Sequence, residues 1–370
     1  MPPFEDIHGQ DDAIDRLRCT LRGKRQPHAF IFAGPEGVGR EMTATAMAWA
    51  LLCEQPPAPD QPCGNCPSCR MMQAGSHPDF QLVYKELAAY HEDAAIRSRV
   101  MQELGIEVIR SFLIAPSAQG ASRGRGKVFI VRQAELMSNA AQNALLKTLE
   151  EPPSGVRIIL LTQRLEQMLP TTRSRCWILR FSPLDVEFVA RQLIARDVEP
   201  AEARFLAALT GGSIGVGLRL AGTELLETKR NVLTQLVSLG QAAGGDLGDD
   251  LAKITDNLAN QAVAESGKDG GPSLSKNLAS RQAAGMLLKL LATVYTDAMH
   301  VACGQEHVAL VHADQPEIIE RIAGRFSPSQ LAGIVEQLSR YEQLLWRNVN
   351  PKLVWDNVTI SCSSGRQLAI

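Results

Sequence analysis

Aromatic residues are scarce in this chain, 5% of 370, and there is no surplus of positive charge: the formal net charge is −2. A protein that holds nucleic acid on its own usually carries a strong basic excess, so any phosphate contact here is local or shared with a partner. No stretch reaches the ~20 consecutive apolar residues that a membrane-spanning helix needs. The opening MPPFEDIHGQDDAIDRL is acidic and lacks the apolar centre of a secretory leader. These absences lead us to expect a cytoplasmic protein with no membrane partner. Eight cysteines in that reducing compartment do not read as a disulfide framework. The remainder, 45% hydrophobic and 21% charged, is ordinary globular material long enough for two or three domains. No internal repeat or low-complexity tract stands out.

GPEGVGRE, from Gly34 to Glu41, has the glycine spacing of a phosphate-binding loop, G-x-x-x-x-G-K-[ST]. In that loop backbone N–H groups curl around phosphates, a lysine reaches the β and γ phosphates, and a hydroxyl ligates Mg²⁺. Gly34, Gly37 and Gly39 supply the turn, but Arg40 stands in place of the lysine and Glu41 in place of the hydroxyl. HAFIFAG before the loop reads as a buried strand and EMTATAMAWALL after it as a helix, the context the motif requires. Glu41 then sits at a helix N-terminus, where a carboxylate is favourable without any ligand. A triphosphate would meet that charge at a cost of about 4 kcal/mol for unit charges ~4 Å apart at an effective dielectric near ~20. A glycine-rich turn that never bound nucleotide is the competing reading of the loop taken alone. Further on, KVFIV (127–131) reads as the buried strand after which a working ATPase carries the carboxylates that hold Mg²⁺ and polarise water; here Arg132 and Gln133 follow.

Cys53 closes the helix after the loop, the proline-rich EQPPAPDQP intervenes, and Cys63, Cys66 and Cys69 arrive as CGNCPSC. Two C-x-x-C steps and a fourth thiol make an S₄ set that suits tetrahedral Zn²⁺, and less well an iron–sulfur centre. With all four positions filled by thiolates such a metal is structural. A redox C-x-x-C pair or unrelated free thiols are the alternatives, though a redox pair needs only two cysteines. Cys19, Cys176, Cys303 and Cys362 read as small core residues.

SNAAQNALLKTLEEPP reads as a helix with Ser138 as N-cap, Leu145, Leu146 and Leu149 on one face, and Pro152 and Pro153 as the stop. VRIILLT is a second buried strand ending at Thr162. Arg175, read in isolation, is a solvated arginine or a salt-bridge partner. Taken together, FEDIHGQDDAIDRL, PHAFIFAGPEGVG, the cysteine cluster, SNAAQNALLKTLEEPP and Ser174-Arg175-Cys176 resemble the delta-prime family of bacterial DNA polymerase III clamp-loader subunits. The resemblance runs in order from about residue 4 to about 180 and more weakly beyond.

That resemblance implies an α/β AAA+ domain over 1–180 on a parallel sheet, with a degenerate phosphate loop and a zinc module at about 53–69. A small helical lid over 181–222 and an all-helical collar over 223–370 would follow. It implies a stator without productively bound ATP, not an enzyme by itself, in a pentamer with delta and the gamma/tau motor subunits. That assembly opens the β sliding clamp and places it on primed DNA. Arg175 would be an arginine finger acting in trans at a neighbouring motor subunit, and Thr162 falls at the sensor-1 position. The sensor-2 arginine of motor subunits is missing: Gly212 and Ser213 are followed by Ile214 and Gly215. Two rivals stand beside this reading. One is an ATP-hydrolysing gamma/tau-type motor, the other a zinc-module nucleic-acid binder suggested by CGNCPSC and the basic run ASRGRGK.

DVEFVARQLIARD, AEARFLAALTG and SIGVGLRLAG read as three short lid helices. AAGGDLGDD and ESGKDGGPSL read as exposed loops between longer amphipathic helices. EQLLWRNVNPKLVWDNVTI fits two final helices, with Asn348 and Asn350 breaking the pattern before Pro351.

Overall fold

A computed structural model describes residues 4–97, 103–239, 247–266, 275–305, 309–345, 349 and 351–364. The chain forms two compact units, Met1–Asp185 with Gly212–Val216, and Val186–Gly211 with Gly217–Ile370.

In the first unit, five strands form a parallel sheet: β1 (Ala29–Ala33), β2 (Phe80–Val83), β3 (Lys127–Val131), β4 (Val156–Thr162) and β5 (Trp177–Arg180), in the order β2-β3-β4-β1-β5. The three central strands are the apolar runs legible in the sequence, because a parallel strand covered on both faces is apolar on both. β2 and β5 are short, partly exposed edge strands with no such run, and the sequence reading missed them. Ala29, Ile31 and Ala33 face a core shared with the Asn139–Glu150 helix. Phe30 and Phe32 point the other way, Phe30 edge-on to Trp177 and Phe32 against Phe181. The Ser138 hydroxyl caps the Asn139–Glu150 helix by accepting from the Ala141 N–H at 3.1 Å.

Strand order reverses beside β1, which is where an open parallel sheet leaves a crevice for ligands. The glycine loop leaves β1 at that point and runs into α2 (Arg40–Leu52). A parallel sheet with the glycine loop directly after β1 is the α/β architecture expected from the sequence. Cys53 is the C-cap of α2, Cys63 follows in the connection, Cys66 is the N-cap of α3 (Pro67–Gln73) and Cys69 lies within it, while α1 (Asp11–Arg22) packs against β5.

The second unit is helical among the described residues. It contains Val186–Ile194 and Pro200–Thr210, then Leu225–Ser238, Leu247–Ser266, Lys276–Ala302, Pro316–Arg325, Pro328–Leu345 and Pro351–Ser364. Four of these begin with proline, whose fixed φ and missing N–H suit the first helical position. The last helix is tied in by Tyr295 Oη donating to the Cys362 carbonyl at 3.0 Å and by Ser361 Oγ donating to Gln337 Oε1 at 2.7 Å.

Some sequence expectations change. Residues 247–250 of AAGGDLGDD are the first turn of a helix, with Leu247 buried, and ESGKDGGPSL is helical through Ser266. The rest of both segments, and Asn348 and Asn350, lie outside the described residues. Cys19 and Cys303 are exposed rather than core residues, Cys176 is half-buried, and only Cys362 of the four is buried.

Candidate functional site

The glycine loop is held from three sides by hydrogen bonds to backbone carbonyls. Gly34 N–H donates to the Thr162 carbonyl at 3.1 Å, so the β1–β4 register fixes where the loop starts. The buried Gln10 amide donates to the carbonyls of Val38 at 3.3 Å and Ser182 at 2.8 Å, which binds the loop to the chain leaving β5. Gly215 N–H donates to the Gly37 carbonyl at 3.2 Å. That approach needs glycine on both sides. A Cβ at Gly37, whose φ is +72°, would lie 2.2 Å from Ser213 Oγ, and one at Gly215 would lie 3.0 Å from Gly37 Cα. Ser213 and Gly215 are therefore packed against the glycine loop itself.

Inside this frame the substituted residues satisfy one another. Arg132 Nε donates to Glu41 Oε2 at 2.8 Å, and a second guanidinium nitrogen meets Oε1, a two-pronged pair that joins the ends of β3 and α2. The Arg132 guanidinium also lies 5.6 Å from the centre of the Tyr84 ring. The positions of the motif's hydroxyl and of the carboxylate expected after β3 thus hold an anion and a cation in contact. The carboxylate expected from the sequence to stand bare is thus paired: Glu41 meets Arg132. Arg40 is nearly buried and its Nε donates to the Pro35 carbonyl at 3.1 Å, turned onto its own loop. Burial pushes the Arg40 pKa down, while Glu135, Glu36 and Glu41 oppose the shift. Thr162 is fully buried, and its hydroxyl oxygen accepts from Arg164 N–H at 3.1 Å.

Cys53, Cys63, Cys66 and Cys69 converge, with all four sulfurs within 4.8 Å of one another. Cys53 and Cys66 Sγ are 4.0 Å apart, and Cys63 and Cys69 Sγ 3.9 Å. A tetrahedron of Zn–S bonds of about 2.3 Å has edges of about 3.8 Å, close to the two shortest sulfur separations here, so the donor set suits the ion. Backbone N–H groups already point at two sulfurs, Cys63 N at Cys53 Sγ (3.2 Å) and Cys69 N at Cys66 Sγ (3.4 Å). The Asn65 N–H pulls the Cys63 thiol down to about 6, while burial pushes Cys69 up to about 12.

Two ion pairs fasten this module to the sheet domain. Asp60, fully buried, accepts from Arg22 Nε and NH2 at 2.8 Å each. Glu54 accepts from Ser68 Oγ at 2.9 Å and from Arg123 at 2.7 Å. The same Arg123 offers its backbone N–H to Asp79, and Lys127 Nζ donates to the Pro116 carbonyl at 2.9 Å. Two of the three cations in ASRGRGK are thus engaged within the fold.

Arg175 lies between the Pro170–Arg173 turn of helix and β5. Its Nε donates to Glu150 Oε1 at 2.7 Å and its NH1 to the Thr171 carbonyl at 3.0 Å, with a third of the side chain exposed. None of these long-range pairs, Glu41 with Arg132, Asp60 with Arg22, Glu54 with Arg123 and Glu150 with Arg175, carries a spacing signal in the sequence.

Among the described residues, no helix is long and apolar enough to cross a membrane. The family model for "DNA polymerase III, delta subunit" matches residues 9–185, and that for its C-terminal region matches residues 251–361. The Escherichia coli K12 protein named DNA polymerase III subunit delta' is 29% identical over 90% of this chain and 87% of its own length. Its Pseudomonas aeruginosa namesake is 34% identical over 59% of this chain and 63% of its own. DNA polymerase III subunit tau of Escherichia coli K12 is 34% identical over 67% of this chain but only 36% of its own length. The family matches touch both units, and the Escherichia coli delta' match runs along nine-tenths of the chain; the chain belongs to the DNA polymerase III delta-prime family.

Proposed function

We infer that the chain acts as the non-hydrolysing, delta-prime-type subunit of a DNA polymerase III clamp loader, a stator that helps place the β sliding clamp on primed DNA. The observation that carries the non-hydrolysing part is the two-pronged Glu41–Arg132 pair, which joins the positions where an active site would hold Mg²⁺. Phosphate, metal and water have each lost a partner, to Arg40, Glu41 and the Arg132-Gln133 pair respectively. The partners we propose are delta and the gamma/tau motors in a pentamer. Residues 1–180 would be the AAA+ domain, 181–222 the lid and 223–370 the collar.

Arg175 would complete the ATP site of the adjacent motor, its planar guanidinium bridging γ-phosphate oxygens as charge develops. Cys53, Cys63, Cys66 and Cys69 would hold one structural Zn²⁺, which supplies a covalent centre to a segment too short to bury its own core. When bound, the ion does no chemistry beyond that cross-link.

Similarity to tau favours a second reading, an ATP-hydrolysing motor. An assay of the isolated chain separates the two. We expect no ATP turnover with Mg²⁺, and none after Arg40→Lys alone, because Glu41 and Arg132 remain paired. Measurable turnover would reject the non-hydrolysing assignment, and micromolar affinity for Mg²⁺-ATP by calorimetry would show that the substitutions leave nucleotide binding in place.

A further inference from the structure

All three guanidinium nitrogens of Arg175 are engaged within its own chain. Nε donates to Glu150 Oε1, NH2 pairs with the same oxygen, and NH1 donates to the Thr171 carbonyl and lies 3.4 Å from Ser174 Oγ. A finger held this way must release its outer nitrogens before it reaches a phosphate on another subunit. We propose that Glu150 is a latch on Arg175, a positioning residue that keeps the finger parked until a γ-phosphate is presented. The proposal rests on the arginine-finger reading above.

Glu150 is the last residue of the Asn139–Glu150 helix and is followed by Glu151. The helix dipole leaves its C-terminal end negative, so a carboxylate there is disfavoured and does nothing for the helix. What it offers is a nearby anion for Arg175. The two side chains are 34% and 48% exposed, so the pair opens without disturbing the core. Such a pair is weak, and a triphosphate that accepts both prongs of the guanidinium outbids it. A lesser anion competes less well. The carboxylate therefore sets a threshold: Arg175 leaves Glu150 for a terminal phosphate and returns once that phosphate is gone.

The test is steady-state ATP hydrolysis by the reconstituted complex, in which the other subunits carry alanine at their own finger arginines so that turnover reports the site facing Arg175. Glu150→Gln keeps an acceptor oxygen and removes the charge. It should lower the apparent KM for ATP about two- to fivefold, the range of half-exposed ion pairs, with kcat unchanged. Glu150→Asp, which keeps the charge, should stay closer to the unmodified complex. In an Arg175→Ala background, Glu150→Gln should have no effect. An unchanged KM for Glu150→Gln, a loss of kcat like that of Arg175→Ala, or the same KM shift without Arg175 would each overturn the latch. Normal turnover by Arg175→Ala alone would instead remove the finger, and with it the latch.

Discussion

Asp60→Asn isolates the contact that fastens the cysteine module to the sheet domain. The Asp60 side chain is fully buried, accepts two 2.8 Å bonds from Arg22 and has Arg18 Nε at 3.7 Å. Asparagine keeps one acceptor oxygen but sets an NH₂ against a guanidinium N–H, donor facing donor. Losing one charge-assisted bond and orphaning a buried donor costs on the order of 3 kcal/mol. Arg22 is 56% exposed and turns to water, so a net loss of about 2 kcal/mol is the better figure. For a domain of this size that lowers the first unit's melting temperature by about 4–8 °C. The assay is a thermal melt followed by circular dichroism, paired with the rate of zinc transfer to a chromogenic chelator, which should rise in the variant. Acid supplies a control. Arg22 holds the Asp60 carboxyl below its usual value, so this stabilisation is complete above pH ~4 and is lost as pH falls through the depressed value. The gap between the two proteins should therefore close in strong acid. A melting temperature within a degree of the unmodified chain at neutral pH, with unchanged zinc release, would refute the anchoring argument.

Purified protein should hold one equivalent of Zn²⁺ by metal analysis after dialysis, and the Cys66→Ser, Cys69→Ser double variant should hold none; less than half an equivalent in the unmodified chain would count against the site. Chelation should expose the segment around Cys53–Cys69 to protease while leaving the sheet's far-ultraviolet signal in place, because the strands have their own apolar burial. Arg175→Ala should leave folding, zinc content and assembly unchanged and lower clamp- and DNA-stimulated ATP hydrolysis by the complex, with Arg175→Lys nearly as defective because one ammonium cannot reproduce a planar fork. In the second unit, burial, with Lys229 close by, pushes His312 down to about 4. Its pKa is below the unfolded value of about 6.5, so its stabilisation is complete above pH ~6.5 and falls by up to about 3 kcal/mol as pH drops toward 4. Denaturant melts across that range should show the loss, and His312→Gln should flatten it.

Consecutive residues determined a great deal here. The buried runs AFIFA, KVFIV and VRIILLT became β1, β3 and β4 because a strand covered on both faces is apolar over most of its length, here apart from Lys127, Arg157 and Thr162. Ser138 became a helix cap, and the thiol spacing brought four sulfurs together, because these are matters of local geometry and short loops. The same local information said that Arg40, Glu41, Arg132 and Gln133 stand where an ATPase has other residues. It could not say what they do instead. Glu41 and Arg132 are 91 positions apart and meet only because the start of α2 and the end of β3 both lie at the C-terminal end of the parallel strands. The edge strands β2 and β5 were illegible because their half-exposed residues carry no unbroken apolar run. The closing of Gly215 onto Gly37, the seating of Asp60 on Arg22 and the parking of Arg175 on Glu150 are likewise meetings of distant residues. Side-chain charge and backbone freedom made these contacts possible, but strand order and the path of the chain chose which of them formed.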